Sequence, residues 1–234
     1  MKNMIKAIQR RLGVTADGIA GPKTLAVIVE ALQYKGMMKG ENVCTWPAVQ
    51  RAVGVTPDGV AGPKTFAAIA GKLDIHLPTM WPSQAEVRSN KSIFGFSGDE
   101  SNLVNVSLPY PMFYEGKKLS TIRVHRLVAN AVKDALTMVF RYYGAERIHE
   151  LGLDVYGGSY NNRSTSTGKA KSMHAWGIAL DFDPERNDYS TKKPKATLSR
   201  AECDIWWEIW ESVGAVSLGR ECNYDWMHVQ FATL

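Results

Sequence analysis

Two short segments hold side chains whose types and spacing suit a metal ion. Ser172-Met173-His174-Ala175-Trp176-Gly177-Ile178-Ala179-Leu180-Asp181 sets an imidazole and a carboxylate seven positions apart, and Asp225-Trp226-Met227-His228 adds a second of each. Two imidazoles and one carboxylate are what a protein contributes to a catalytic zinc site whose fourth position is left to water. The expected chemistry is therefore hydrolysis at one Zn2+ per chain, held by His174, Asp181 and His228. A lone strand histidine is ordinarily a hydrogen-bonded surface residue. The joint occurrence of both segments carries the metal reading.

Those residues need elements to aim them. From Gly177 onward, Ile178, Leu180 and Phe182 alternate with Ala179, Asp181 and Asp183, the period of a half-buried strand that turns Asp181 away from the core. Met227, Val229 and Phe231 likewise alternate with Trp226, His228 and Gln230, so a second strand lifts His228 out of the packing. A regular strand leaves Asp225 on the Met227 face, away from His228. A bend at the strand entry must turn it back. Gly177 and Ala179 read as small residues that let backbone or substrate approach the metal. Ser172 is either a turn residue or a hydrogen-bonding support behind the ligands. Trp176 and Trp226 are candidates for lining a substrate cleft, although large aromatics beside strands more often pack.

Ser-x-His-x-x-Gly-x-Ala-x-Asp followed by Asp-Trp-x-His resembles the zinc D,D-carboxypeptidase and L-alanyl-D-glutamate endopeptidase family, which cleaves peptidoglycan stem peptides. The resemblance covers roughly the C-terminal half. It implies a hedgehog/D,D-peptidase-like α+β domain with an antiparallel sheet and zinc ligands His174, Asp181 and His228. It further implies Asp225 as catalytic base, with Arg163 of Gly158-Ser159-Tyr160-Asn161-Asn162-Arg163 steadying substrate and transition state. Many carboxypeptidase members carry Glu where this chain has Asp225, and the aspartate is more typical of the endopeptidase branch. Gln230 replaces an acidic residue of some relatives, which leaves the support of His228 open.

The N-terminal third contains an internal duplication. Gly13-Val14-Thr15-Ala16-Asp17-Gly18-Ile19-Ala20-Gly21-Pro22-Lys23-Thr24 recurs 41 residues later as Gly54-Val55-Thr56-Pro57-Asp58-Gly59-Val60-Ala61-Gly62-Pro63-Lys64-Thr65. Asp17-Gly18 and Asp58-Gly59 are turn dipeptides, and Pro22 and Pro63 suit the first turn of a helix. Ile5, Ile8 and Leu12 before the first turn, and Leu25, Ile28, Val29 and Leu32 after it, have helical spacing. One such pair buries too little alone, so both copies are expected to form one small all-α domain. With Gln9 and Gln50 in the preceding helices, the pattern also resembles the peptidoglycan-binding repeat found beside wall hydrolases. For the individual Asp and Gly residues a purely architectural role is the simpler account.

Charge separates the two parts. Residues 1–74 hold ten Lys plus Arg against five Asp plus Glu, and residues 75–234 hold eighteen of each, so the net +5 lies in the N-terminal part. A basic module suits an anionic envelope surface. Neither a zinc-finger spacing nor a dense Arg/Lys tract supports nucleic acid as the partner. The expected organisation is α+β overall: a peptidoglycan-binding domain over 1–74, a linker over 75–105 containing Pro78, Pro82, Gly95 and Gly98 that partly packs on the catalytic domain, and a zinc peptidase domain over 106–234.

Within the last of these, Leu127, Val128, Ala131, Val132, Ala135, Leu136, Val139 and Phe140 form a helical stripe. A second helix is expected from Ser199, with Glu202 completing a capping box, burying Ile205, Trp206, Ile209 and Trp210 and ending at Gly214. Cys44, Cys203 and Cys222 form no paired spacing and read as free thiols, with small buried residues preferred over ligands at Cys203 and Cys222. No stretch approaches a membrane span, and Met1–Arg10 has no long apolar core. These features suggest a monomeric phage endolysin that accumulates in the host cytoplasm and reaches peptidoglycan through a separate membrane pore. A D,D-carboxypeptidase and a non-catalytic wall-binding protein are the alternatives.

Overall fold

The computed structural model describes every residue except Glu41, Asn42, His76, Pro78, Thr79 and Ser166, so the Pro78 of the expected linker lies outside the described residues. The chain divides into two compact units, Met1–Thr79 and Met80–Leu234.

In the first unit each repeat is a helix, an Asp-Gly turn and a second helix: α1 (Lys2–Arg11) and α2 (Pro22–Tyr34), then α3 (Trp46–Val53) and α4 (Pro63–Leu73). Pro22 and Pro63 open their helices. Gly18 and Gly59 take positive φ, which a turn here requires and glycine supplies without strain. Beneath each turn lies a buried glutamine. Gln9 Nε2 donates to Asp17 Oδ1 (2.7 Å) and Thr24 Oγ1 (2.8 Å), while its Oε1 accepts from the Gly18 N–H (2.9 Å). Gln50 repeats this with Asp58, Thr65 and Gly59. Ile8, Ile28, Leu32, Val49, Phe66 and Ile69 are fully buried in one core to which both copies contribute. That explains the duplication: each copy supplies half of an apolar interior.

The second unit mixes helix and sheet. It begins with α5 (Gln84–Arg88), followed by an antiparallel hairpin of β1 (Leu103–Tyr114) and β2 (Lys117–His125). Next come α6 (Ala129–Leu151), β3 (Tyr156–Gly158), β4 (Ala179–Phe182), α7 (Asp204–Ser212), β5 (Val216–Ser217), α8 (Leu218–Cys222) and β6 (His228–Gln230). Four of these strands form an antiparallel sheet in the order β3-β4-β6-β5. Its apolar face meets Trp206 and Trp210 of α7, which lie against Phe182 and Phe231.

The expected packing of 75–105 on the second unit is extensive: Val87 and Phe94 are buried in its core, and Ser83 bridges Thr233. The segment's Pro, Ser and Asn content marks irregular backbone, which here is packed. The helix expected from Ser199 begins at Asp204, because the Ser199 hydroxyl donates to the Ala196 carbonyl and makes no cap. Trp206, Trp207 and Trp210 are buried there, whereas Ile205 and Ile209 are only half-buried. In α6, Val132, Ala135, Leu136 and Val139 form the buried stripe, while Leu127 and Phe140 are exposed. The three cysteines are free, Cys203 buried but Cys44 and Cys222 exposed.

Candidate metal centre

Strand register brings two of the proposed ligands together. Asp181 on β4 and His228 on β6 are direct cross-strand partners, 47 residues apart in sequence, and side chains of such a pair project from the same face. The third, His174, stands on a single 3-10 turn, Met173–Trp176, which Ser172 starts by accepting the His174 N–H on its hydroxyl. Gly177 ends the turn with φ 68°. A Cβ at Gly177 would sit 2.5 Å from Leu103 Cδ2, so the glycine makes room for the β1–β2 hairpin and not for the metal, as its spacing had suggested. The expectation of a polar outer face for β4 also needs revision: all four of its residues are buried, Asp181 included.

The three side chains converge. His228 Nδ1 lies 3.0 Å from Asp181 Oδ1, His174 Nε2 lies 3.2 Å from Asp181 Oδ2, and the two imidazole nitrogens are 3.2 Å apart. The opposite ring nitrogens are engaged elsewhere. His174 Nδ1 donates to the Ser159 carbonyl (2.9 Å), and His228 Nε2 donates to Gln230 Oε1 (3.1 Å). Gln230 cannot be flipped without loss, since its Nε2 donates to the Ala232 carbonyl (2.7 Å). In their neutral forms both imidazoles therefore turn lone pairs toward the carboxylate. Three inward-facing acceptors are the donor set of a metal ion, and the carbonyl and amide partners behind them are those that fix ligating tautomers. A buried His-Asp-His cluster able to hold a metal is thus present. Burial opposes the charge on Asp181, but His174 and His228 outweigh it and hold its carboxyl well below the usual range. Burial opposes protonation of His228 as well; the hydrogen bond and charge of Asp181 prevail and raise it.

Asp225 takes φ 55°, the left-handed bend that the sequence required at the entry to β6. Its N–H donates to the Tyr189 carbonyl (3.2 Å) and its own carbonyl accepts from the His228 N–H (3.1 Å), a tight turn that brings the carboxyl back toward the histidines. Asp225 Oδ1 is buried and has no hydrogen-bond partner. Burial raises its pKa above the ordinary carboxylate value; the charge of Asp181 adds to this, while His228, His174 and Arg163 oppose it.

These groups line an open cleft of about 310 Å³ that also contains Ser172 and Arg163. Arg163 is exposed, and its backbone carbonyl accepts from Ser172 N–H (3.1 Å), tying its loop to the turn that bears His174. Ser172 serves as the cap of that turn. The two tryptophans do not line the cleft. Trp176 is buried with Nε1 donating to the Gly95 carbonyl (3.0 Å), and Trp226 packs on Trp207 and Gly219 with Nε1 on Asn223 (3.1 Å). Adjacency to a ligand said nothing about which side each ring takes.

Residues absent from the sequence reading complete the cleft: Gln84, Arg88, Tyr189 and Tyr224. Ser159, whose carbonyl fixes His174, was quoted only as a neighbour of Arg163. Gln230 was visible, being two positions beyond His228 on the same strand face. Among the described residues, no helix is long and apolar enough to cross a membrane. No family model, curated protein or solved structure matches the chain.

Proposed function

We propose that the second unit is a zinc-dependent peptidase hydrolysing an amide bond of the peptidoglycan stem peptide, most specifically the L-alanyl-D-glutamate bond. The first unit holds the enzyme on the wall, and the whole acts as an endolysin. One observation carries the catalytic reading: the uncommitted lone pairs of His174, Asp181 and His228 meet in an open cleft beside a buried carboxylate oxygen that has no donor. His2Asp with an open position suits zinc, and the donor set fits it.

A zinc ion bound there would supply Lewis acidity, polarising a carbonyl and rendering water more acidic near neutral pH. Asp225 accepts a proton from the attacking water at its unpaired Oδ1 and returns it to the departing amine as the C–N bond breaks. Its raised proton affinity suits both halves of that transfer. Arg163, on the same cleft, offsets negative charge as the carbonyl becomes tetrahedral. The Ser159 carbonyl and Gln230 keep the two imidazoles in the tautomers that face the centre. The excess positive charge of residues 1–74 supports attraction of the first unit to an anionic wall.

Digestion of purified peptidoglycan followed by mass spectrometry tests the reading. A new D-Glu amino terminus is expected. Release of D-Ala alone would make the protein a D,D-carboxypeptidase, and wall binding without zinc-dependent products would remove the catalytic claim.

A further inference from the structure

The cleft holds a cation that this mechanism does not use. Arg88, the last residue of α5, lines it together with Asp225 and His228 and is half-buried. Its Nε donates to the Lys171 carbonyl (3.0 Å), immediately before Ser172, so the guanidinium is fixed against the segment that carries His174. α5 is itself secured. Ser83 and Glu86 form a capping box at its start, the Gln84 N–H donates to the Thr233 carbonyl (2.8 Å), and Gln84 Nε2 donates to Gln230 Oε1 (3.2 Å). Arg88 therefore stands on a built base, unlike an arginine swinging free in solvent.

Its charge has no internal answer. Among the described residues neither Arg88 nor Arg163 pairs with a carboxylate; the recorded bonds of both guanidiniums go to backbone carbonyls. The acidic side chains lining the cleft are Asp181 and Asp225, whose charges a bound divalent ion would balance. Two guanidiniums are left over, and they are anchored at different places: Arg88 on the Lys171 carbonyl, Arg163 on that of Ser164. A planar fork of N–H donors matches the paired oxygens of a carboxylate or a phosphate, and a peptide carries the former.

We infer that Arg88 binds a free carboxylate of the substrate beside the amide to be cut, so that the cleft selects acidic peptides over their amidated counterparts. This rests on the peptidase reading for its substrate, and equilibrium binding separates the two. The full-length Asp225→Asn protein, loaded with zinc, is titrated calorimetrically with L-Ala-γ-D-Glu-L-Lys and with the same peptide bearing a carboxamide in place of the D-Glu α-carboxylate. The acid is expected to bind about 10- to 100-fold more tightly, the range of a charge-assisted pair. Adding Arg88→Gln erases the difference. Arg88→Lys, which retains stem and charge without the fork, reduces it several-fold and decides the matter should the Gln variant not fold. Equal affinity for the two peptides with Arg88 present, no binding of either, or an undiminished preference in the Arg88 variants overturns the assignment. Failure of the unsubstituted protein to cut either peptide bears on the peptidase reading alone.

Discussion

Two pairs of aspartates, one pair in each unit, play opposite parts. In the repeats, Asp17 Oδ1 accepts from Gln9 and from the Ile19 N–H, and Asp58 Oδ1 accepts from Gln50 and the Val60 N–H. Every one of these acceptors serves the turn that contains it. In the second unit Asp181 faces the ring nitrogens of two imidazoles, and among the described residues Asp225 Oδ1 is buried without a donor. A buried acceptor without a partner costs about 1–3 kcal/mol and persists where something else offsets it. Between these two pairs, hydrogen-bond saturation, more than residue type, separates the carboxylates that shape a turn from those that line the cleft.

That contrast can be broken from either side. The largest effect is expected at the ligands: His174→Ala or His228→Ala should eliminate both stoichiometric zinc, read by elemental analysis, and peptidoglycan turnover. Asp225→Ala should retain the zinc and lower kcat by about 10²- to 10⁴-fold, the usual contribution of a general base; loss of metal along with rate would make Asp225 a ligand instead. In the repeats, Gln50→Ala should destabilise the first unit by about 1–3 kcal/mol, since Asp58 and the Gly59 N–H lose their shared partner. At about 4–8 °C per kcal/mol for a unit of this size, its melting transition should move visibly while kcat on a soluble stem peptide stays unchanged.

The smallest effect concerns acid. Asp17 and Asp58 are held below the ordinary carboxylate pKa, first by the backbone N–H groups of Ile19 and Val60 and then by Gln9 and Gln50. A depressed folded-state pKa gives stability that is present above the unfolded value near about 4 and lost as pH falls through the folded one. The melting temperature of the first unit should therefore decline below about pH 4. Asp17→Asn with Asp58→Asn should flatten that decline, and an unchanged acid slope would place the sensitivity elsewhere.

Legibility in the sequence followed the range of the interactions. The buried His-Asp-His cluster was readable because His174 and Asp181 share one short motif and His228 shares another with Asp225. The duplication was readable because each turn is built from residues close in sequence. The need for a bend at Asp225 followed from strand period, though its left-handed form required the structure. Arg88 and Gln84 were hidden because they reach Lys171 and Gln230 from far away in the chain. Ser199-x-x-Glu202 imitates a capping box, but the hydroxyl finds the closer Ala196 carbonyl. Trp176 and Trp226 took the packed position that is the commoner one for large aromatics beside strands, though local pattern alone does not record which side of a short turn a ring will occupy.

The opening segment of the second unit determines where the chain can be divided or recombined. Residues 80–105 supply Val87 and Phe94 to the interior and, through Gln84, a contact to the amide that steadies His228. A splice at residue 106 would remove part of the second unit's core along with the first unit. Exchange of the first unit would thus preserve the second only with the joint upstream of Trp81, ahead of the first segment woven into it.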